Sequence, residues 1–235
     1  MIDVPTITWI NGISAVVNLI ICIAMTVVFL FKYKESKKKL QPWVAAFALA
    51  LGTAYSGPVI TFIKLLATGT NVTPLQLFYI AYWNLPIQVI SMIWLGFSVF
   101  AENKRKTVII IVSLTAVIYY AYFFIFPEQS FTTVKSVEEY NAAGELLDIS
   151  FTGIPRYLLI AWMASIVITF MVGFSRLLSK IKDDKKYSRR VKMQLIGWVF
   201  YVIGGGIEVM APVSVAIVGR IASMICFIFL FFSFS

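Results

Sequence analysis

The chain has 235 residues, 60% of them hydrophobic, with a mean hydropathy of +0.88. That composition excludes a water-soluble domain of this length and places the protein in a bilayer. Twenty Lys and Arg against eleven Asp and Glu give a formal charge of +9, yet the cations are segregated as membrane topology requires, which argues against nucleic acid as a partner.

Seven apolar stretches follow one another: Ile7–Phe31, Val44–Leu66, Leu77–Phe100, Val108–Phe126, Tyr157–Leu178, Val191–Val209 and Val213–Phe234. At about 1.5 Å rise per residue, about 20 residues cross a hydrocarbon core of about 30 Å, and each stretch is close to that length. Lipid offers no hydrogen-bond partners, so each must cross as a helix. The expected fold is an all-α membrane bundle of seven helices forming one domain over residues 1–235.

The segment before the first stretch holds Asp3 and neither Lys nor Arg, and the apolar run is longer than a signal-peptide core, so the first helix is expected to be retained. In the second stretch Ala46, Ala50 and Ala54 form one row of small residues and Ala48, Gly52 and Ser56 a neighbouring one, a spacing that lets helix backbones approach. Pro58 and Pro86 are expected to kink the second and third helices. Between those helices Asn71-Val72-Thr73 forms a glycosylation-type sequon.

Residues 127–156 form the one long connection. Phe131–Val137 alternates and is rich in β-formers, Asn141-Ala142-Ala143-Gly144 supplies turn residues, and Leu146–Thr152 reads as a returning strand. A β-hairpin over one mouth of the bundle is expected. Its acids Glu128, Glu138, Glu139, Glu145 and Asp148 outnumber Lys135 and Arg156. In the sixth stretch Gly204-Gly205-Gly206 suits either close contact or a hinge. Cys22 and Cys226 lie within the first and last stretches, where each reads as a small apolar residue.

Sixteen of the twenty cations lie in, or within three residues of, the gaps after the first, third and fifth stretches: Lys32, Lys34, Lys37, Lys38 and Lys39; Lys104, Arg105 and Lys106; then Arg176, Lys180, Lys182, Lys185, Lys186, Arg189, Arg190 and Lys192. Basic residues stay cytoplasmic, so the N-terminus and the hairpin are expected outside, the C-terminus inside, and the host is expected to be the cell membrane. The segment containing Lys180, Lys182, Lys185, Lys186, Arg189, Arg190 and Lys192 is the expected surface for a protein partner or for anionic lipid.

Apart from the basic residues at those borders, the charged groups within the spans are Lys64, Glu208 and Arg220, each of which must face the interior, snorkel or pair. A Glu208–Arg220 pair is the natural neutralising arrangement. Tyr55, Ser56, Tyr82, Asn84 and Gln88 sit at compatible depth, where interhelical hydrogen bonding is the plain role and ligand contact the functional one. The candidate ligand set is Lys64, Tyr82, Asn84, Gln88, Arg156, Glu208 and Arg220, with Lys64, Arg156 and Arg220 as positive walls beneath an acidic lid. No histidine is present and the two cysteines stand far apart, which removes His-based catalysis, most zinc sites and metal–sulfur clusters. No enzyme activity, cofactor or metal is expected.

The seven-helix plan, with its extracellular β-hairpin between the fourth and fifth helices, resembles G-protein-coupled receptors in shape, without their motifs. The run from Leu77 to Pro86 (LFYIAYWNLP) and the run from Tyr187 to Gly197 (YSRRVKMQLIG) resemble the aromatic third helix and the basic fifth loop of the seven-helix sensor region that precedes histidine kinases. That resemblance implies a sensor module; with no kinase or cyclase sequence within these residues, it implies relay through partners. Three roles stand open: a receptor or sensor for a small or lipidic ligand, a structural or accessory subunit of a larger membrane assembly, and a small transporter of three, one and three helices. The partners expected are the bilayer and a cytoplasmic or membrane protein, with self-association open.

Overall fold

The computed structural model describes the backbone of residues 4–210 and 213–234, and their side chains except those of 208–216 and 234. Helix accounts for 84% of it, with one small two-stranded sheet. The long helices are α1 (Thr6–Ser36), α2 (Gln41–Thr68), α3 (Pro74–Tyr82) continued by α4 (Leu85–Phe100), α5 (Glu102–Ile125), α7 (Gly153–Lys180), α8 (Lys185–Met210) and α9 (Val213–Phe234). A short helix α6 (Val137–Ala142) and strands β1 (Phe131–Thr133) and β2 (Ile149–Phe151) fill the connection after α5. Neighbours in sequence are neighbours in space, and α9 returns against α1, so the rods close a ring.

Among the described residues, five helices are long and apolar enough to cross a membrane: α1, α2, α3 with α4, α5 and α7; a shorter apolar helix spans Ile217–Ser233. The sequence expectation was seven. The difference lies in α8, which opens with Lys185, Lys186, Arg189, Arg190 and Lys192, and in α9, whose first side chains lie outside the described residues.

Helix ends follow local chemistry. The α2 terminus turns through Gly69 at φ 72°, a left-handed residue whose N–H bonds Leu65 O. Helix α3 starts in a Thr73/Gln76 capping box with Pro74 in its first turn. Asp184 precedes α8 and its Oδ1 accepts from Tyr187 N at 2.9 Å.

The small-residue rows of α2 are packing surfaces, as expected. A Cβ on Gly52 would stand 2.8 Å from Cys22 Cβ, so α1 and α2 meet closely there. Cys22 and Cys226 are both buried and are not joined in a disulfide. Gly204 takes the close-contact role, since a Cβ there would lie 2.6 Å from Gly219 O on α9. Helices α4 and α7 interlock reciprocally: the Phe170 ring occupies the space beside Gly96, and the Phe100 ring the space beside Gly173.

The two prolines behave differently. Helix α2 runs unbroken through Pro58, whereas the third stretch divides at Trp83–Asn84, just before Pro86. Proline has no N–H, so the carbonyl four residues earlier, Tyr82 O, loses its helical donor. The buried Tyr119 hydroxyl of α5 supplies the replacement at 2.9 Å.

The hairpin expectation holds in outline and fails in extent. The strands pair antiparallel, Phe131 opposite Phe151 and Thr133 opposite Ile149, but each is three residues long. Ser136, placed within a strand by its β-rich surroundings, instead caps α6 in a reciprocal box with Glu139. The Asn141–Gly144 turn is the end of that helix, with Gly144 left-handed at φ 62°.

Candidate functional site

Residues 127–152 form a lid on one end of the bundle. Phe78 of α3 is its anchor: the ring centroid lies 4.7 Å from Phe131, 5.8 Å from Phe151 and 4.5 Å from Phe123. Asn71 in the α2–α3 loop ties down the other side and is 4% exposed. Its Nδ2 donates to Asn141 Oδ1 (2.8 Å) and Glu145 O (3.0 Å), and its Oδ1 accepts from Leu147 N (2.9 Å). The sequon amide is therefore committed inside the fold. Thr8 at the start of α1 adds a bond to Gly144 O at 3.0 Å. Burial pushes the Tyr140 phenol above its ordinary range, and the Asp148 and Glu145 carboxylates push the same way. Lys135 pairs with Glu145 at 2.5 Å.

Beneath the lid lies a partly open cavity of about 400 Å³, bounded by α2, α3, α4, α7, α8 and α9 and roofed by Leu146–Ile149. Its walls are mainly aliphatic and aromatic. A few polar groups enter: Tyr55, Tyr82, Gln88, Asp148, Tyr201 and Arg220. The Gln88 amide bridges three helices, donating to Ala50 O at 3.0 Å and accepting from the Tyr201 hydroxyl at 3.1 Å. Arg220 is buried and its guanidinium donates to Asn11 O and to Ser14 Oγ (3.1 Å) on α1.

Of the sequence candidates, the cavity brings together Tyr82, Gln88 and Arg220. Asn84 is buried nearby but spends its amide on Ala50 O and Thr53 Oγ1 of α2. Lys64 snorkels to the loop, its Nζ donating to Asn71 O at 2.9 Å, and Arg156 is exposed. The positive wall thus reduces to Arg220. The Glu208 side chain, and with it the Glu208–Arg220 pair, lies outside the described residues. Sequence reasoning missed Asp148, Trp162 and Tyr201 as lining residues. Only Tyr201, a hydroxyl within an apolar run, offered a signal.

The opposite end of the bundle is basic, and the expected partner surface falls there in two parts. Lys185, Lys186, Arg189 and Arg190 of α8 line an open groove with Met193 and Phe232. Lys180 lies apart from them, with Lys104 and Arg176 between α5 and α7. Lys182 and Lys192 are exposed. Among the described residues no group of three or more Cys, Asp and Glu could hold a metal ion. No protein-family model matches the sequence, and no curated protein is significantly similar to it.

Proposed function

We propose that the chain is a seven-pass receptor or sensor module of the cell membrane, with lid and N-terminus outside and the basic end in the cytoplasm, that takes a small amphipathic or lipidic ligand beneath its lid. The carrying observation is the cavity of about 400 Å³. A concave, mainly apolar space with a few converging polar groups is the usual form of a small-molecule site. Gln88 and Tyr201 direct polar groups to one region of its wall, Arg220 and Asp148 contribute opposite charges, and the remaining surface suits a hydrocarbon body. Opening and closing of the lid shifts α7, which runs from β2 to the basic end, and the lysines and arginines there pass the change to a partner. Orientation rests on the segregation of basic residues.

The test uses Gly206, which lines the cavity and where an added Cβ meets nothing within 4 Å. The purified protein is assayed for thermal stabilisation by single-chain amphiphiles such as fatty acids and lysophospholipids. A ligand at a hundred times its Kd stabilises by about 2.7 kcal/mol. The wild type should respond to at least one of them and Gly206→Leu should not. Equal responses from both proteins would remove the cavity as the site, and flux of the stabilising amphiphile in proteoliposomes would replace the sensor with a carrier.

A further inference from the structure

A second feature, which shares Trp162 with the cavity under the lid, lies between α5 and α7. Trp162 Nε1 bridges these helices by donating to Thr115 Oγ1 at 2.9 Å. From that bridge towards the basic end they part along a trough made of two adjoining spaces, about 260 Å³ and 550 Å³, which share Phe97 and Thr169 in their walls. The α7 side of the trough carries Ala161, Ser165, Thr169 and Gly173, four residues apart on one face. Such a row ordinarily seats another helix. Gly173 is occupied by the Phe100 ring, while Ala161 and Ser165 remain exposed.

The mouth of the trough has the opposite chemistry. Lys104 in the first turn of α5, and Arg176 and Lys180 four apart near the end of α7, line the wider space together with Asn103, and no carboxylate does. The nearest acid in sequence, Glu102, pairs with Arg105 at 3.5 Å. Arg105 is turned away into its own site, bonded to Ser98 Oγ at 2.7 Å and lying over the Trp94 ring at 4.2 Å. Among the described residues, Lys104, Arg176 and Lys180 form no ion pair.

We propose that this trough holds an anionic diacyl phospholipid taken from the surrounding leaflet, its phosphate among Lys104, Arg176 and Lys180 and one acyl chain along Ala161, Ser165 and Thr169. Dimensions agree: Ala161 to Arg176 spans about 22 Å of helix at about 1.5 Å per residue, enough for a chain crossing one leaflet of about 15 Å. Charge agrees as well. Three cations with no acid favour an anionic over a zwitterionic headgroup, and basic pockets between membrane helices are the known form of such sites. A second protein helix in the same row would need acids of its own placed opposite the three cations, whereas an anionic headgroup brings the charge with the chain.

The experiment is native mass spectrometry of the whole protein released from nanodiscs that contain equal amounts of phosphatidylglycerol and phosphatidylcholine. Three variants accompany the wild type: Lys104→Gln/Arg176→Gln/Lys180→Gln, which empties the mouth; Ser165→Leu, which fills the trough at an exposed position; and Lys185→Gln/Lys186→Gln/Arg189→Gln/Arg190→Gln, which removes more charge from α8. The wild type should retain phosphatidylglycerol selectively. Retention should fall at least about tenfold in the first variant and clearly in the second, and stay near wild type in the third. Equal retention of the two lipids, an equal loss on neutralising α8, or full retention by Ser165→Leu would each overturn the proposal.

Discussion

Replacing Asn71 with Ala should undock the lid while leaving the bundle intact. The side chain makes three hydrogen bonds at 2.8–3.0 Å to Asn141, Glu145 and Leu147. Leu147 is 5% exposed, and its N–H loses its partner once the Asn71 oxygen is gone. A hydrogen bond contributes about 1 kcal/mol net, and a stranded buried partner costs about 1–3 kcal/mol. The lower figures already total about 3 kcal/mol for the closed lid, or about a hundredfold in the opening equilibrium. Hydrogen exchange in detergent micelles reads this directly, because local opening sets the protection of buried amides. The Leu147 and Ile149 amides should exchange about a hundredfold faster in Asn71→Ala, whereas amides in the middle of α1 and α2 should not change. Acceleration below about threefold at Leu147 would mean that Phe78 and the aromatic cluster hold the lid unaided, and that Asn71 is a passenger.

Two further outcomes test how the bundle is held. Tyr119→Phe should destabilise the protein by about 0.6–1.7 kcal/mol, the range for membrane hydrogen bonds. The same change made on a Pro86→Ala background should cost little, because the restored N–H serves Tyr82 O; equilibrium unfolding of the four proteins measures the coupling, and additive effects would refute it. Gly96→Ala places a Cβ 2.3 Å from the Phe170 ring, so it should cost about 1–3 kcal/mol by overpacking despite the better helix propensity of Ala, as read from thermal unfolding in detergent.

The bundle was legible because lipid leaves the chain few options. Apolar length and the grouping of Lys and Arg mark α1, α2, α5 and α7 with little ambiguity, and the division before Pro86 follows from one missing N–H. Pro58 carries the same signal, yet α2 continues past it, since the surroundings decide whether a freed carbonyl becomes a break. In the lid, β-propensity over Phe131–Val137 outweighed a capping box spelled out by Ser136 and Glu139. That was a misjudgement of two local signals rather than a missing one.

The candidate site was legible only where burial is obligatory. Gln88 and Arg220 stand inside apolar runs, so each had to face protein; Lys64 and Arg156 sit near helix ends, where a long side chain finds a loop carbonyl or solvent instead. Asp148 reads as one more loop acid, and it reaches the cavity because Leu147 is tied to Asn71, 76 residues away in sequence. No local pattern reports such a tie.

The cavity itself favours an occupant on energetic grounds. An apolar wall left facing water forfeits about 25 cal/mol per Å² of burial, so the partly open cavity of about 400 Å³ gains from an apolar occupant that covers its lining. Its polar groups are engaged with the frame, Gln88 with Ala50 O and the Tyr201 hydroxyl and Arg220 with α1, so they fix the walls and leave the space between them to an occupant. A mainly apolar lining offers water few partners. What fills such a space most favourably is a molecule with a hydrocarbon body and a polar end, and lipids and their single-chain relatives surround the protein on every side.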